Sequence, residues 1–501
     1  MENNLQTKKR KKISYKHTVI GSYSLEKEKI NITEKIIIDI GKFADENNIK
    51  IYLVGGYVRD YFLGKYRKDF DFTVVGDAIN FAKKLASKFH SKAITYKEFG
   101  TAMVPIGDFK CEFVGTRKEE YDENSRKPKV TIGTLEDDLK RRDFTCNAMA
   151  VSINSDTFGE LIDLFGGKRD LKAKILKTPL DPFTTFSDDP LRMLRAIRFA
   201  TILSFNIDSV SLKAIKEMNS RIKIVSQERI TDELLKIIGS KKPSIGLKLL
   251  HQTGLLKQIF PDLDNLSGID TVKKEERTWA HKDVLYHSFQ VLDNISKVTD
   301  NIWLRFAALI HDIAKPLTKK YIEGIGWSFH GHEELGARRV EKIFNFLRLP
   351  LTHKEYVEKL VRLHQRPMAL VEEGVTDSAF RRLAVQVGDA LEDLFILCKA
   401  DITTQNIDKK KEYLKNYDKT FKKIMEIQQK DKLREFQSPV RGEEIMEICK
   451  IKPSRAVGII KELIEDAILE GIIPNEYDEA KKYFIANKND WLEKIKKGEL
   501  K

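Results

Sequence analysis

Two aspartates, Asp69 and Asp71, flank Phe70 where Phe70, Phe72 and Val74 alternate with polar residues, the period of a half-buried strand. Side chains two apart on a strand leave the same face, so the carboxylates would repel unless a cation lay between them. Mg2+ takes hard oxygen ligands and pairs with substrate phosphates. A third acid, Glu112, falls on a second predicted strand, Lys110 to Gly115, and faces opposite to Cys111 and Phe113. Three carboxylates on adjacent strands would form a two-metal site for in-line nucleotidyl transfer. Alone, an Asp-x-Asp pair is more often a solvated strand face, but a glycine turn just upstream shifts the balance. Ile51-Tyr52-Leu53-Val54 reads as a buried strand ending at Gly55-Gly56, followed by Tyr57-Val58-Arg59-Asp60 at the start of a helix. Glycines there let the backbone approach a phosphate, and the helix N-terminus and Arg59 add positive potential.

Arg141-Arg142-Asp143-Phe144-Thr145-Cys146-Asn147 offers planar, permanently charged forks suited to triphosphate oxygens. Asp143 and Asn147 could hold a ribose or orient Arg142. The stretch Ser187-Asp188-Asp189-Pro190-Leu191-Arg192 predicts a helix start, with Ser187 as cap, acids in the first turn and Pro190 early. Asp188 and Asp189 stand four and three residues before Arg192, and either spacing shares a helix face. Such a pair has a chemical use beyond an intrahelical salt bridge. Cytosine and adenine both present an amino donor beside a ring-nitrogen acceptor, while uracil and guanine present the reverse. One carboxylate and one guanidinium could therefore accept CTP and ATP and reject UTP and GTP without a template.

A second constellation lies further on. Seven of the ten histidines fall between His281 and His364. His287 begins a helical pattern, His311-Asp312 ends the apolar run Phe306 to Ile310, His330 and His332 flank Gly331, and His364 and Asp401 follow. The order H…HD…H…H…D resembles the HD phosphohydrolase superfamily. That resemblance implies His287, His311, Asp312 and Asp401 as metal ligands, completed by His364 and by His330 or His332, with His332 preferred, and Lys315 as a phosphate contact. Imidazole and carboxylate together suit Ni2+, Mn2+, Co2+ or Fe2+ better than Mg2+. A degenerate, structural HD fold is the bland alternative.

The elements that would position these groups follow from pattern. Residues 1–30 predict a flexible basic arm holding Lys8, Lys9, Arg10, Lys11 and Lys12; residues 31–165 mix strands and helices. Beyond Phe165 the chain predicts helix upon helix, divided at 166–280, 281–408 and 409–501, the last opening on a Lys-rich stretch from Lys409 to Arg434. The 501 residues carry a formal charge of +14, which favours an anionic partner such as nucleic acid. Four cysteines without a CxxC pair indicate neither a zinc ribbon nor a disulfide framework. The absence of a long apolar run or signal-peptide pattern fits a cytoplasmic chain without a membrane span. Nothing indicates an obligatory protein partner.

In order, GGxVRD, DxD, RRDFTxNA, Gly-Gly-Lys-Arg-Asp-Leu at 166–171, DDPLRMLRA, and Arg229-Ile230 with Glu233-Leu234 resemble the class II CCA-adding enzymes and bacterial poly(A) polymerases. The resemblance covers roughly residues 50–260. It implies an α+β fold: a small polymerase-β-like nucleotidyltransferase head, a mixed sheet with helices, followed by an all-α neck, body and HD-type helical domain. It implies Mg2+ at Asp69 and Asp71, with Glu112 as third acid, and a triphosphate motif at Gly55, Gly56, Arg59 and Asp60. Arg142, Asp143 and Asn147 match the sugar and phosphate motif, Asp189 and Arg192 the base-reading pair, and Arg195 and Arg198 the phosphate contacts. Asp188 departs from the Glu that often stands there. The implied partners are a tRNA acceptor end, CTP and ATP. A Gly-Arg-Arg-Phe segment usual in the poly(A) enzymes is replaced by Glu98-Phe99-Gly100-Thr101-Ala102, which favours tRNA ends. A polar loop between Glu119 and Leu135, lacking in CC-only enzymes, argues for addition of A. The expected activity is CCA synthesis with HD-domain phosphohydrolase activity. The alternatives are an A-adding or poly(A) polymerase, or chiefly an HD-type phosphoester hydrolase with an RNA-binding head.

Overall fold

A computed structural model describes residues 28–97, 100–122, 125–268, 283–323, 326–371, 375–435, 438–469, 472–497 and 500. The Lys8–Lys12 run, His281, and Glu98 with Phe99 lie outside them. The chain divides into two compact units: Met1–Glu233 with Lys248–Ile259, and Leu234–Leu247 with Phe260–Lys501.

The first unit is built on a seven-stranded mixed sheet. Its strands are β1 (Ile51–Val54), β2 (Asp69–Val74), β3 (Ile94–Tyr96), β4 (Thr101–Ile106) and β5 (Phe109–Gly115), with β8 (Ala150–Ser152) and β9 (Leu161–Ile162) beyond a separate hairpin of β6 (Arg117–Asp122) and β7 (Ser125–Ile132). Their order is β3-β4-β5-β2-β1-β8-β9, with β2 and β5 parallel and the other neighbours antiparallel. Phe70, Phe72 and Phe113 are fully buried beneath the sheet, against Phe81 of the helix Ala78–Lys88. That helix starts where Asp77 accepts the Asn80 N–H, the kind of cap that satisfies an orphan donor.

The expected loop between Glu119 and Leu135 is instead largely hairpin. β6 and β7 pair antiparallel, and the register shifts between Glu120 and Asp122, opposite the stretch containing Pro128. A residue without an N–H fits such an irregularity, and the β-branched run Val130-Thr131-Ile132 favours extended backbone. The helix expected to start at Ser187 is also corrected. Ser187 lies in the last turn of the helix Pro182–Asp188, capped by Asp181 through the Thr184 N–H, and the next helix runs Leu191–Leu203. Pro190 disfavours helical backbone at the residue before it, and Asp189 is accordingly extended at φ −137°, ψ 98°. The helical body also contains a short parallel pair, Ile175–Leu176 with Asn206–Ile207.

Among its described residues the second unit is helical apart from one hairpin, Lys320–Ile322 with Gly326–Ser328. Helices Val284–Ile295, Ile302–Ile310, His332–Leu347, Lys354–Leu363 and Leu391–Asp401 bury Phe289, Phe306, Phe344, Leu360 and Leu394. The 29-residue helix Ile407–Glu435 follows, and then three helices close a separate core around Val440, Ile460, Phe484 and Trp491. Among the described residues no helix is long and apolar enough to cross a membrane.

Candidate functional site

The parallel pairing of β2 with β5 sets Asp71 directly opposite Glu112, and β1 sets Val54 opposite Asp71 on the other side. Phe72 and Phe113 stack beneath with centroids at 4.9 Å, fixing the strands. Asp69 shares the face of Asp71 and is exposed, whereas Asp71 is half-buried. Burial raises the Asp71 carboxyl above its usual range, opposed by Arg142 and Arg67 and reinforced by Asp69. Burial and Asp71 together raise Glu112. Neighbouring carboxylates that each resist ionisation fit a divalent cation, whose charge relieves both.

Gly55 follows β1 at φ +66°, a conformation costly for any side chain. A Cβ there would stand 3.1 Å from Arg142 Nη1 and 3.6 Å from Asp71 Oδ2, so the turn holds the backbone against both groups. Beyond it opens a cavity of about 440 Å3 whose lining includes eight arginines against three aspartates, a formal excess of five positive charges. Such a wall suits a polyanion of triphosphate size.

The arginines are held by a buried frame. Arg59 donates twice to Asp60, at 2.8 and 2.9 Å, and once to Asn147 Oδ1 at 2.9 Å. Asn147 donates to Asp143 Oδ1 at 3.0 Å, and Arg195 donates to Asp143 Oδ2 from Nε and Nη2 at 2.8 and 2.6 Å. Arg142 is held chiefly by Asp138, at 3.0 Å, and not by the Asp143 side chain. Arg198 pairs with Glu233 at 2.9 Å. The guanidiniums of Arg59, Arg195 and Arg198 all lie over the Phe199 ring, at 5.3, 5.4 and 4.4 Å from its centroid.

Asp189 and Arg192 line the same cavity but do not pair through a shared helix face. Asp189 Oδ1 accepts the Leu191 N–H at 3.2 Å, and its other oxygen is 3.6 Å from Arg229. Arg192 donates to the Arg141 and Thr185 carbonyls at 2.6 and 3.4 Å. A second cavity, about 500 Å3, shares Asp71, Arg141 and Arg142 with the first and adds Glu112, Tyr96 and Arg117. Asp71 thus borders both.

Asp143 carries a measurable structural load. Burial would raise its pKa, but Arg195 and Asn147 outweigh burial and hold it down at about 2. The depressed value means its contribution is present above the ordinary carboxylate range and is lost as pH falls towards 2. Replacing Asp143 by Ala leaves Arg195 without its carboxylate and should cost about 3–5 kcal/mol, the range for one partner of a buried pair. Chemical denaturation at neutral pH reads this loss, and the gap to the parent protein should narrow below about pH 4. A stability unchanged at neutral pH would refute it.

Sequence reasoning missed Arg67, which lines the cavity and lies 3.5 Å from Asp60. It also missed Asp138 and Phe199. Asp138 is fully buried and pairs with both Arg141 and Arg142. The signal for Phe199 was its place four residues after Arg195, on one helix face.

In the second unit, four histidines and two aspartates converge. His311, Asp312, His332 and His364 are buried. Asp312 stands between two groups, His287 with His311 on one side and His332 with His364 on the other. Its Oδ2 is 3.1 Å from His311 Nε2 and 3.7 Å from His287 Nε2, and its Oδ1 is 3.1 Å from His332 Nε2 and 3.9 Å from His364 Nε2. Asp401 Oδ1 is 2.8 Å from His287 and 3.4 Å from His311, and Lys315 Nζ is 2.7 Å from Asp312. His330 is exposed.

Every converging imidazole has its far nitrogen engaged: His311 on the Ala308 carbonyl at 2.8 Å, His332 on Phe329 at 2.8 Å, His364 on Val361 at 2.7 Å and His287 on the Thr403 hydroxyl at 3.0 Å. An Nδ1–H donated to a carbonyl leaves the Nε2 lone pair facing inward, the tautomer a metal needs. His311 Nε2 and Asp312 Oδ2 are buried without an aligned hydrogen bond although 3.1 Å apart. A proton on His311 or a cation would join them, and Lys315 Nζ already stands 2.7 Å from the same Asp312 oxygen. Against burial, Asp312 and Asp401 hold the His311 pKa up at about 10, while burial and His311 push His364 down to about 4. These imidazole and carboxylate donors fit a divalent metal ion.

Residues 51–177 match the poly A polymerase head domain, residues 204–266 a probable RNA- and SrmB-binding region of polymerase A, and residues 284–404 the HD domain. An A-adding tRNA nucleotidyltransferase of Aquifex aeolicus is 44% identical over 278 residues, 55% of this chain and 32% of that one. This chain therefore spans about a third of the length of the A-adding relatives it matches. A multifunctional CCA protein of Methylococcus capsulatus is 31% identical over 376 residues, 70% of this chain and 81% of the relative. A crystal structure of a tRNA nucleotidyltransferase complexed with a primer tRNA and an incoming ATP analogue superposes with a TM-score of 0.56 at 26% identity, over 77% of this chain and 99% of that one. With most of that CCA relative's length covered, the chain belongs to the class II tRNA nucleotidyltransferase and poly(A) polymerase family, as a member that carries an HD domain.

Proposed function

We propose that this protein adds CMP, CMP and AMP in turn to the 3′ end of tRNA, using CTP and ATP. The observation that carries this reading is the shared position of Asp71, on the border between an arginine-walled cavity and a second cavity lined by Glu112. The triphosphate lies against Arg59, Arg142, Arg195 and Arg198, and the RNA 3′ end approaches from the Glu112 side. Asp69, Asp71 and Glu112 would hold Mg2+. An ion held there would supply Lewis-acid charge for the α-phosphate and the attacking hydroxyl. Asp143, Asn147 and Asp60 keep the arginines aimed, so charge on the leaving pyrophosphate meets a preorganised wall.

Asp189 and Arg192 read the base: the carboxylate accepts from the amino group shared by cytosine and adenine, and the guanidinium donates to the ring nitrogen. We propose a five-part division at 1–30, 31–165, 166–280, 281–408 and 409–501, with tRNA held by the basic body and tail. The test is incorporation of labelled CTP, ATP, UTP or GTP, singly and in pairs, onto tRNA lacking CCA. Asp189→Ala or Arg192→Ala should lose about 1–3 kcal/mol of discrimination against UTP and GTP, the worth of a good bidentate base contact. Undiminished preference in both variants would exclude this pair as the reader.

A-only addition is the second reading, favoured by the 44% identity to an enzyme named for that activity. Tests on tRNA ending in CC and on tRNA ending at the discriminator base separate the two. In the HD domain we propose hydrolysis of phosphate esters at the centre built by His287, His311, Asp312, His332, His364 and Asp401, with Ni2+, Mn2+, Co2+ or Fe2+ as the metal. Asp312 bridges two ligand groups and Lys315 is placed for the phosphate. The metal would lower the pKa of a bound water for attack at phosphorus.

A further inference from the structure

Strand β3 lies at one edge of the head sheet. Register sets Tyr96 opposite Thr101, Thr101 opposite Val114, and Val114 opposite Thr73. Thr73 is two residues from Asp71 on β2, as Val114 is from Glu112 on β5, so Tyr96 leaves the sheet on the face of both acids. Ile94 stands opposite Met103, and Met103 opposite Glu112, so Ile94 shares that face. The cavity of about 500 Å3 that holds Asp71 and Glu112 is lined by Tyr96 as well.

These edge residues build little core: Tyr96 is 49% exposed and Ile94 43%. From Tyr96 to Glu112 is two strand spacings and two residues, about 12 Å between backbones. One nucleotide spans such a gap, with its base against the ring and its ribose towards the acids. Arg117, which lines this cavity and not the arginine-walled one, stands with Arg141 and Arg142 to meet its phosphate. An aromatic ring beside cations is the combination that holds an unpaired nucleotide, the base by stacking and the backbone by charge. Every base has a π-face, so stacking tolerates any of them. An enzyme that extends an RNA end meets a new last base after each addition, and a hydrogen-bonding reader at that place would refuse some of them.

We propose that Tyr96 is the platform on which the last base of the RNA acceptor stacks, holding the terminal ribose beside Asp71 and Glu112. This rests on the head adding nucleotides to an RNA end. Tyr96 is a positioning residue and touches no reacting atom. It binds ground state and transition state alike, so its loss raises the KM for RNA and leaves kcat and the KM for the incoming nucleotide unchanged.

The experiment compares the full-length parent with Tyr96→Ala and Tyr96→Phe in the addition of AMP from ATP. The acceptors are tRNA ending in CC and the same tRNA whose last nucleotide lacks its base. On the intact acceptor Tyr96→Ala should raise the tRNA KM about tenfold, the scale of one lost base–aromatic stack, and Tyr96→Phe should restore most of the affinity. On the abasic acceptor the parent itself should lose about as much, and Tyr96→Ala should add nothing further, because the partner of the ring is already gone. Equal loss from Tyr96→Ala on both acceptors would reduce the tyrosine to a prop for the sheet and overturn the proposal. A raised KM for ATP with an unchanged KM for tRNA would give the cavity to the incoming nucleotide and overturn it too. If the parent extends neither acceptor, the reading of the head as a tRNA end-adding enzyme fails, and tRNA ending in 2-aminopurine decides the platform. Stronger quenching of that base by the parent than by Tyr96→Ala supports it; equal quenching rejects it.

Discussion

Asp71→Asn should reduce nucleotide incorporation by about three orders of magnitude, as expected when several kcal/mol of metal-borne charge stabilisation are lost at about 1.4 kcal/mol per decade. The same change should leave the fold as stable as before, or more so. Asp71 is a half-buried acid whose carboxyl is raised first by burial and further by Asp69, with Arg142 and Arg67 opposing, and it stands opposite a second raised acid, Glu112. A carboxyl raised in the folded state destabilises that state once pH exceeds its folded value, so a neutral amide of the same shape relieves a burden at neutral pH. Opposite signs in activity and stability mark a residue held for chemistry, which a structural acid would not show. Asp69→Asn should reduce activity with a smaller stability change, because Asp69 is exposed. Incorporation at a tenth of the parent rate or better in both variants, with Mg2+ saturating, would remove these acids from the catalytic assignment.

Asp312→Ala should abolish phosphoester hydrolysis and strip bound transition metal, because Asp312 is the group common to both ligand clusters. His311→Ala should do the same to one half of the site and lose about 10- to 100-fold or more in metal affinity, at least the scale seen when even an outer support of a metal ligand is removed. Elemental analysis of purified protein and hydrolysis of 2′,3′-cyclic AMP with Ni2+, Mn2+ or Co2+ measure both effects. tRNA end addition should stay within about twofold, since the HD cluster and the head acids lie in different units. His330→Ala should change nothing, as that ring is exposed, whereas His332 points Nε2 at Asp312. Parent protein that binds no transition metal and hydrolyses no ester would leave the domain a structural role only.

The sequence was most legible where chemistry is local. Gly55, Asp69 and Asp71 lie within one strand-turn-helix-strand stretch, and period-two alternation alone put Asp69 and Asp71 on one face. Glu112 was legible through its own strand, although only the parallel register sets it against Asp71. Asp189 shows where local rules compete. Ser187 with two acids resembles a cap, yet Pro190 forces Asp189 out of helical backbone and splits the segment into two helices. The hairpin at Arg117–Ile132 was illegible because its polar residues lack the alternation that reveals a strand with a buried face. In the HD domain the residue types gave the candidates, and the family order gave the ligand set. The orientation of His332 is set by a backbone carbonyl, Phe329, which no side-chain pattern announces.

Three guanidiniums lie over the single ring of Phe199, and Asp60, Asp143 and Glu233 pair with them one for one. Arg59 and Arg195 are held in place for an anion by Asp60, Asn147 and Asp143. A polyanion bound in the arginine-walled cavity would become part of what holds the head folded. At a nucleotide concentration about a hundred times its Kd, linkage adds roughly 2.7 kcal/mol to folding. A protein drawing on triphosphates for its chemistry would then also draw on them for its lifetime: a cell depleted of nucleotides would lose not only the reaction's substrates but the resistance of this head to unfolding.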